Sequence, residues 1–224
     1  MVRQLQVELG SGGIRKSASQ YCRPPRADSA GHGRSFTEQF PTCPGEFSPG
    51  ARSRALYQLE VKLGLVRICF PPASGWKVHI AVDAMEYGKG RQQSAEKARR
   101  ASAAARKLEA LGARLVNHPL FGPVDIVAEH HEQGTRFIEV EGQSSRQREQ
   151  ALYSALGQLI LSMKLQGKSI RYGLAVPATP PWTRQVQKVP PAIARKLALD
   201  LYLVAEHGVT CVRAGESIPR WARG

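Results

Sequence analysis

The chain has 224 residues, 42% of them hydrophobic, which is enough for one sizeable domain with further segments attached. Its 32 Lys and Arg stand against 18 Asp and Glu, and the resulting net charge of +14 draws polyanions, with nucleic acid the expected partner. The four cysteines, Cys22, Cys43, Cys69 and Cys211, form no Cys-x-x-Cys pair, and there is neither a signal-peptide core nor an apolar run near the roughly 18 residues of a membrane span. A zinc knuckle, a dense disulfide framework and a membrane protein are thereby excluded, and a soluble cytoplasmic protein is expected.

Residues 1–54 are rich in Gly, Pro, Ser and Arg, as in Gly10-Ser11-Gly12-Gly13 and Cys22-Arg23-Pro24-Pro25, and show no hydrophobic periodicity. That composition predicts a loosely ordered basic tail. Residues 55–88 read as a strand-containing extension, because Trp76, Val78, Ile80 and Val82 alternate with Lys77, His79, Ala81 and Asp83. The main domain is expected over 89–224. It opens with a helix from Ser94 to Leu111, where Ala95, Ala98, Ala101, Ala105 and Leu108 recur at helical steps and Gly112 follows as a C-cap. Eight basic and two acidic residues lie between Lys89 and Arg114, a face that could meet phosphates or simply face solvent.

Three short strands are predicted next, at Ala113–Asn117, Val124–Ala128 and Thr135–Glu141. A second helix follows Ser144, which forms a capping box with Gln147 and precedes the apolar face of Leu152, Ala155, Leu156, Leu159 and Met163. Ile170 to Val176 reads as a strand, and Pro177, Pro180 and Pro181 read as breakers. Trp182 reads as an anchor for that loop. Pro190-Pro191 starts a helix of about two turns, and Leu199–Val204 with Val209–Arg213 make a hairpin. The order is that of a mixed α/β domain.

The chemistry-bearing residues are on the second and third strands. In a strand, alternate residues share a face, so Glu139 and Glu141 point one way while Ile138 and Val140 enter the core. A turn centred on Glu132 sets Asp125 across from Glu139, whereas a slip of one residue would set it against apolar Val140. Like charges facing each other across a sheet are destabilising, so three converging carboxylates call for a cation. Mg²⁺ fits oxygen ligands and substrate phosphate, with Mn²⁺ as an alternative.

Pro123-Val124-Asp125 and Glu139-Val140-Glu141, with the helices around them, resemble the PD-(D/E)xK superfamily of restriction-endonuclease-like nucleases over roughly Ser94 to Val176. One residue is inserted in the Pro-Asp pair, and Glu141 stands where that family has lysine. The resemblance implies a core of helix, three-stranded antiparallel meander, helix and strand. It implies metal binding by Asp125 and Glu139, water activation near Glu141, and a helper glutamine on the second helix, for which Gln150 is chosen over Gln158. Gln143, Arg146 or Arg148 could replace the missing lysine. The expected function is Mg²⁺-dependent endonuclease activity on DNA, in which a homodimer could cut both strands. The alternative is a nucleic-acid-binding module on the same fold that has lost catalysis.

Overall fold

The computed structural model describes residues 54–87, 94–143, 147–164, 167 and 169–214. Apart from Arg54, the tail expected over 1–54 lies outside these residues, as do Ser144 and Arg146. In chain order the elements are α1 (Gln58–Cys69), β1 (Lys77–Ile80), α2 (Ala95–Ala110), β2 (Ile126–His130), β3 (Gly134–Val140), α3 (Arg148–Ser162), β4 (Ile170–Pro177), α4 (Pro180–Val186), α5 (Pro191–Lys196), β5 (Leu199–Val204) and β6 (Val209–Val212). No helix among the described residues is long and apolar enough to cross a membrane.

The protein is α/β, built on one six-stranded mixed sheet in the order β1-β2-β3-β4-β5-β6. β1 pairs with β2 and β2 with β3 antiparallel, β4 joins β3 and β5 in parallel, and β6 closes the edge antiparallel to β5. Both faces are covered. Val78, Ile80, Ile126, Ala128, Ile138 and Val140 pack with Leu59, Leu65 and Val66 of α1 and with Ala101 and Leu108 of α2. The alternate residues, Val127, Phe137, Tyr172, Leu174 and Val176, pack with Leu152, Ala155 and Leu159 of α3 and with Trp182 of α4. Burial of this much apolar side chain is the main force holding the layers together.

Several predicted elements are corrected. α1 occupies a stretch that reads as strand-like, because Leu59, Val61, Leu63 and Leu65 alternate with Glu60, Lys62 and Gly64. The helix wins because it buries Leu59, Val61, Leu65 and Val66 together against the sheet. Residues 113–117 are not a strand, and Arg114 makes only an isolated bridge to His79. The antiparallel meander is therefore β1-β2-β3, with α2 inserted between its first two strands. β1 and α1 share the sheet and core with the residues after 89. α3 begins at Arg148 with no side-chain cap from Gln147, and Pro180 and Pro181 open α4 rather than ending order, since proline suits the first helical turn.

Two close approaches seat α1. A Cβ on Gly64 would lie 2.7 Å from Val204 Cγ1, and one on Gly142 would lie 2.4 Å from the Gln58 nitrogen. At its start, α1 is tied to α2 by Arg100, which donates to Glu60 Oε1 at 2.8 Å and to the Ala55 carbonyl at 2.8 Å and stacks over the Tyr57 ring. The Gln143 N–H donates to the Leu56 carbonyl at 2.8 Å, so the segment after β3 runs against the same end of α1.

Candidate active site

The β2–β3 ladder pairs Ile126 with Ile138 and Val127 with Phe137. Continued by one residue, that register sets Asp125 opposite Glu139, the arrangement expected from a turn centred on Glu132. The Val140 N–H donates to Asp125 Oδ2 at 2.8 Å and fixes the carboxylate. Asp125, Glu139 and Glu141 all line one cleft of about 710 Å³, at the start of β2 and the end of β3. Asp83 and Glu86 from the loop after β1 line it too, so five of the chain's 18 acidic residues share this cleft. Such crowding in a strongly basic chain needs a compensating cation.

One cation is already built in. Lys62 of α1 is fully buried, and its Nζ lies 2.7 Å from Asp125 Oδ1 and 2.8 Å from Glu86 Oε1. It also donates to the Ala81 carbonyl at 2.6 Å. Burial by itself lowers the ammonium pKa, but Asp125 and Glu86 outweigh it and hold the pKa above its usual value. Gln58, one turn before Lys62, donates weakly to Asp125 at 3.4 Å. Lys62 is the charged residue at the cleft that sequence periodicity does not flag. The available signal was its place between Leu59 and Leu65–Val66 on a helical wheel, which sets a charge on the buried face.

One lysine does not neutralise the cleft. Burial, then the Asp125 charge and its hydrogen bond, raise the Glu139 pKa to about 9. Burial, then Asp125 and Glu86, raise that of Glu141 to about 7. Glu86 is raised as well, by burial working against Lys62, and its Oε2 is buried with no hydrogen-bond partner. Glu139 therefore carries a proton at neutral pH, while Glu141 is balanced between its two states.

The structure does not bring Gln150 to this cleft. It is exposed on the side of α3 that lines a separate depression with Arg148, Tyr153 and Arg184. Gln158, two turns later, lines the cleft instead. Gln143 does not line the cleft and donates its backbone N–H to the Leu56 carbonyl, and Trp182 is a wholly buried residue of α4.

A second group of potential ligands, His79, His118 and Glu129, lies on the outer part of the sheet. His118 Nδ1 accepts the N–H groups of Leu120 and Phe121 at 3.2 and 3.3 Å, which leaves the ring proton on Nε2, 3.4 Å from Glu129 Oε2. A metal would need that nitrogen bare while Nδ1 took up a proton facing two donors. The trio is better described as a hydrogen-bonded histidine packed on Phe121 and His79. No family model, curated protein or solved structure matches the chain.

Proposed function

We propose that the chain is a metal-dependent endonuclease that hydrolyses phosphodiester bonds in DNA. The observation that carries this reading is the convergence of Asp125, Glu139 and Glu141 on one cleft beside a buried lysine, in a chain of net charge +14. The order α1-β1-β2-β3-α3-β4, with α2 set between β1 and β2, supports the restriction-endonuclease-like assignment. Lys62 supports it further, since it supplies from α1 a positive charge that Glu141 cannot supply from β3.

The donor set suits a hard dication. All its atoms are carboxylate oxygens, burial and then the neighbouring carboxylates raise the pKa of two of the carboxyls, and one buried oxygen of Glu86 lacks a partner. Mg²⁺ held by Asp125 and Glu139, or Mn²⁺ on the same donors, would draw charge from a phosphoryl oxygen and acidify water. Glu139 must shed its proton to serve as a ligand. Glu141, with its pKa near 7, is suited to take the proton of the attacking water at neutral pH. Lys62 holds Asp125 in place and offsets its charge.

A second reading, a nucleic-acid-binding module without catalysis, is favoured by one observation: Lys62 already lies between Asp125 and Glu86, where a cation would be attracted. Incubation of the full chain with supercoiled plasmid in Mg²⁺, Mn²⁺ or EDTA, beside Asp125→Ala, separates the two. Nicking that needs metal and Asp125 is the expected result. Salt-sensitive DNA retention without nicking would select the binding module.

A further inference from the structure

The cleft has two unlike walls. One carries Asp83 and Glu86, while the other is α3, which contributes Ser154, Gln158 and Ser162, with Lys164 just beyond. These three polar residues are spaced i, i+4, i+8, so they form one row along the helix with steps of about 6 Å. That step is close to one nucleotide of extended backbone. The row carries no acidic residue. The Ser162 hydroxyl is donated to the Leu159 carbonyl at 2.7 Å, while the Ser154 hydroxyl and the Gln158 amide can donate to phosphate oxygens without binding the cation themselves.

Three exposed aliphatic side chains stand at the cleft or beside its lining residues in the chain. Leu161, which lines the cleft, is 81% exposed. Leu120, 83% exposed, lies in the segment between the lining residues Asn117 and Pro123, and Met85, 55% exposed, lies between Asp83 and Glu86. Exposed aliphatic side chains of this size gain by covering the faces of bases, and an unpaired strand offers those faces without the unstacking that a duplex must first undergo. The carboxylates are recessed, with Glu139 only 6% exposed. A duplex is stiff, with a persistence length of about 150 base pairs, and holds its phosphates on the outside of a rod. A single strand bends into a recess at much lower cost.

We propose that the substrate of this cleft is a single, unpaired strand of nucleic acid, whose backbone follows Ser154 and Gln158 and whose bases rest on Leu161, Leu120 and Met85. This rests on the nuclease reading of the same cleft. The test uses the full chain and one labelled mixed-sequence DNA oligonucleotide, single-stranded or annealed to its complement. Cleavage is followed in Mg²⁺, and binding is followed by fluorescence anisotropy in Ca²⁺.

The expected result is a kcat/KM about tenfold or more higher for the single strand. Leu161→Ser and Leu120→Ser, both at exposed positions, are expected to raise KM about fivefold with kcat little changed. Cleavage of the duplex as fast as, or faster than, the single strand overturns the proposal and leaves the nuclease reading intact. If neither form is cut, the nuclease reading falls and binding decides. Tighter binding of the single strand, weakened by Leu161→Ser, then upholds the strand preference, and equal or tighter duplex binding overturns it.

Discussion

Lys62 and Glu139 set the character of the site at the level of single residues, and they do so with opposite sign. Removing the lysine strands Asp125 and Glu86 without their ion partner, so Lys62→Met is expected to cost about 3 kcal/mol of unfolding free energy on the scale of a broken buried pair. Activity should fall with it, because Asp125 loses one of its orienting contacts. A urea midpoint unchanged from wild type would remove Lys62 from the account. Glu139 has a folded pKa raised from 4.5 to about 9. A raised carboxyl pKa means that the folded state binds the proton more tightly, so its contribution is fully present below about pH 4.5 and is lost as pH rises through about 9. Without metal, stability should decline across that window with a slope of up to about 1.4 kcal/mol per pH unit, the value for one proton. Glu139→Gln keeps a donor toward Asp125 but cannot ionise, so it should flatten the decline. Parallel slopes for the two proteins in urea titrations at pH 6, 7.5 and 9 would contradict the assignment.

At the scale of elements, what the sequence made legible follows from how local each signal is. The alanine stripe of α2, the alternation in β1 and the hairpin of β5 and β6 are set by neighbours in sequence, and each is found where periodicity places it. The facing of Asp125 and Glu139 was legible for the same reason, since the turn length fixes the register. α1 was not legible, because alternating Leu59, Val61, Leu63 and Leu65 mimic a strand, and the deciding burial against β4, β5 and β6 is non-local. Lys62 was lost with it. Gln150 was chosen by its place on the second helix, but the rotation of α3 against the sheet turns Gln158 to the cleft instead. The seating of α1 can be tested through its glycine contacts. Gly142→Ala would drive a Cβ into the backbone of Gln58, so the start of α1 must shift. Lower thermal stability and loss of metal-dependent activity are expected. Gly157→Ala, on α3 with nothing within 4 Å of the added Cβ, should be neutral or gain up to about 1 kcal/mol from helix propensity. Equal melting temperatures for the two variants would show that the contact at Gly142 does not seat α1.

For the whole molecule the governing contrast is an acidic cleft in a chain of net charge +14. On the nuclease reading proposed above, the basic residues outside the cleft would supply affinity for phosphates, and the cleft would confine negative charge to the place where a dication is needed. DNA affinity in Ca²⁺ should therefore fall linearly on a log–log plot against salt, with a slope of about 0.7 to 0.9 per phosphate contacted. An affinity indifferent to salt between 50 and 200 mM would remove the electrostatic part of the account. The central claim is that Asp125 and Glu139 hold a metal beside Glu141. The most direct measurement is calorimetric titration of the full chain with Mg²⁺ at pH 7.5 in buffers of different ionisation enthalpy. Because Glu139 is protonated in the metal-free protein, binding should release about one proton, so the observed heat should scale with the buffer. Asp125→Ala should abolish the heat. No Mg²⁺ binding by the wild-type chain, or binding that survives Asp125→Ala, would contradict the account.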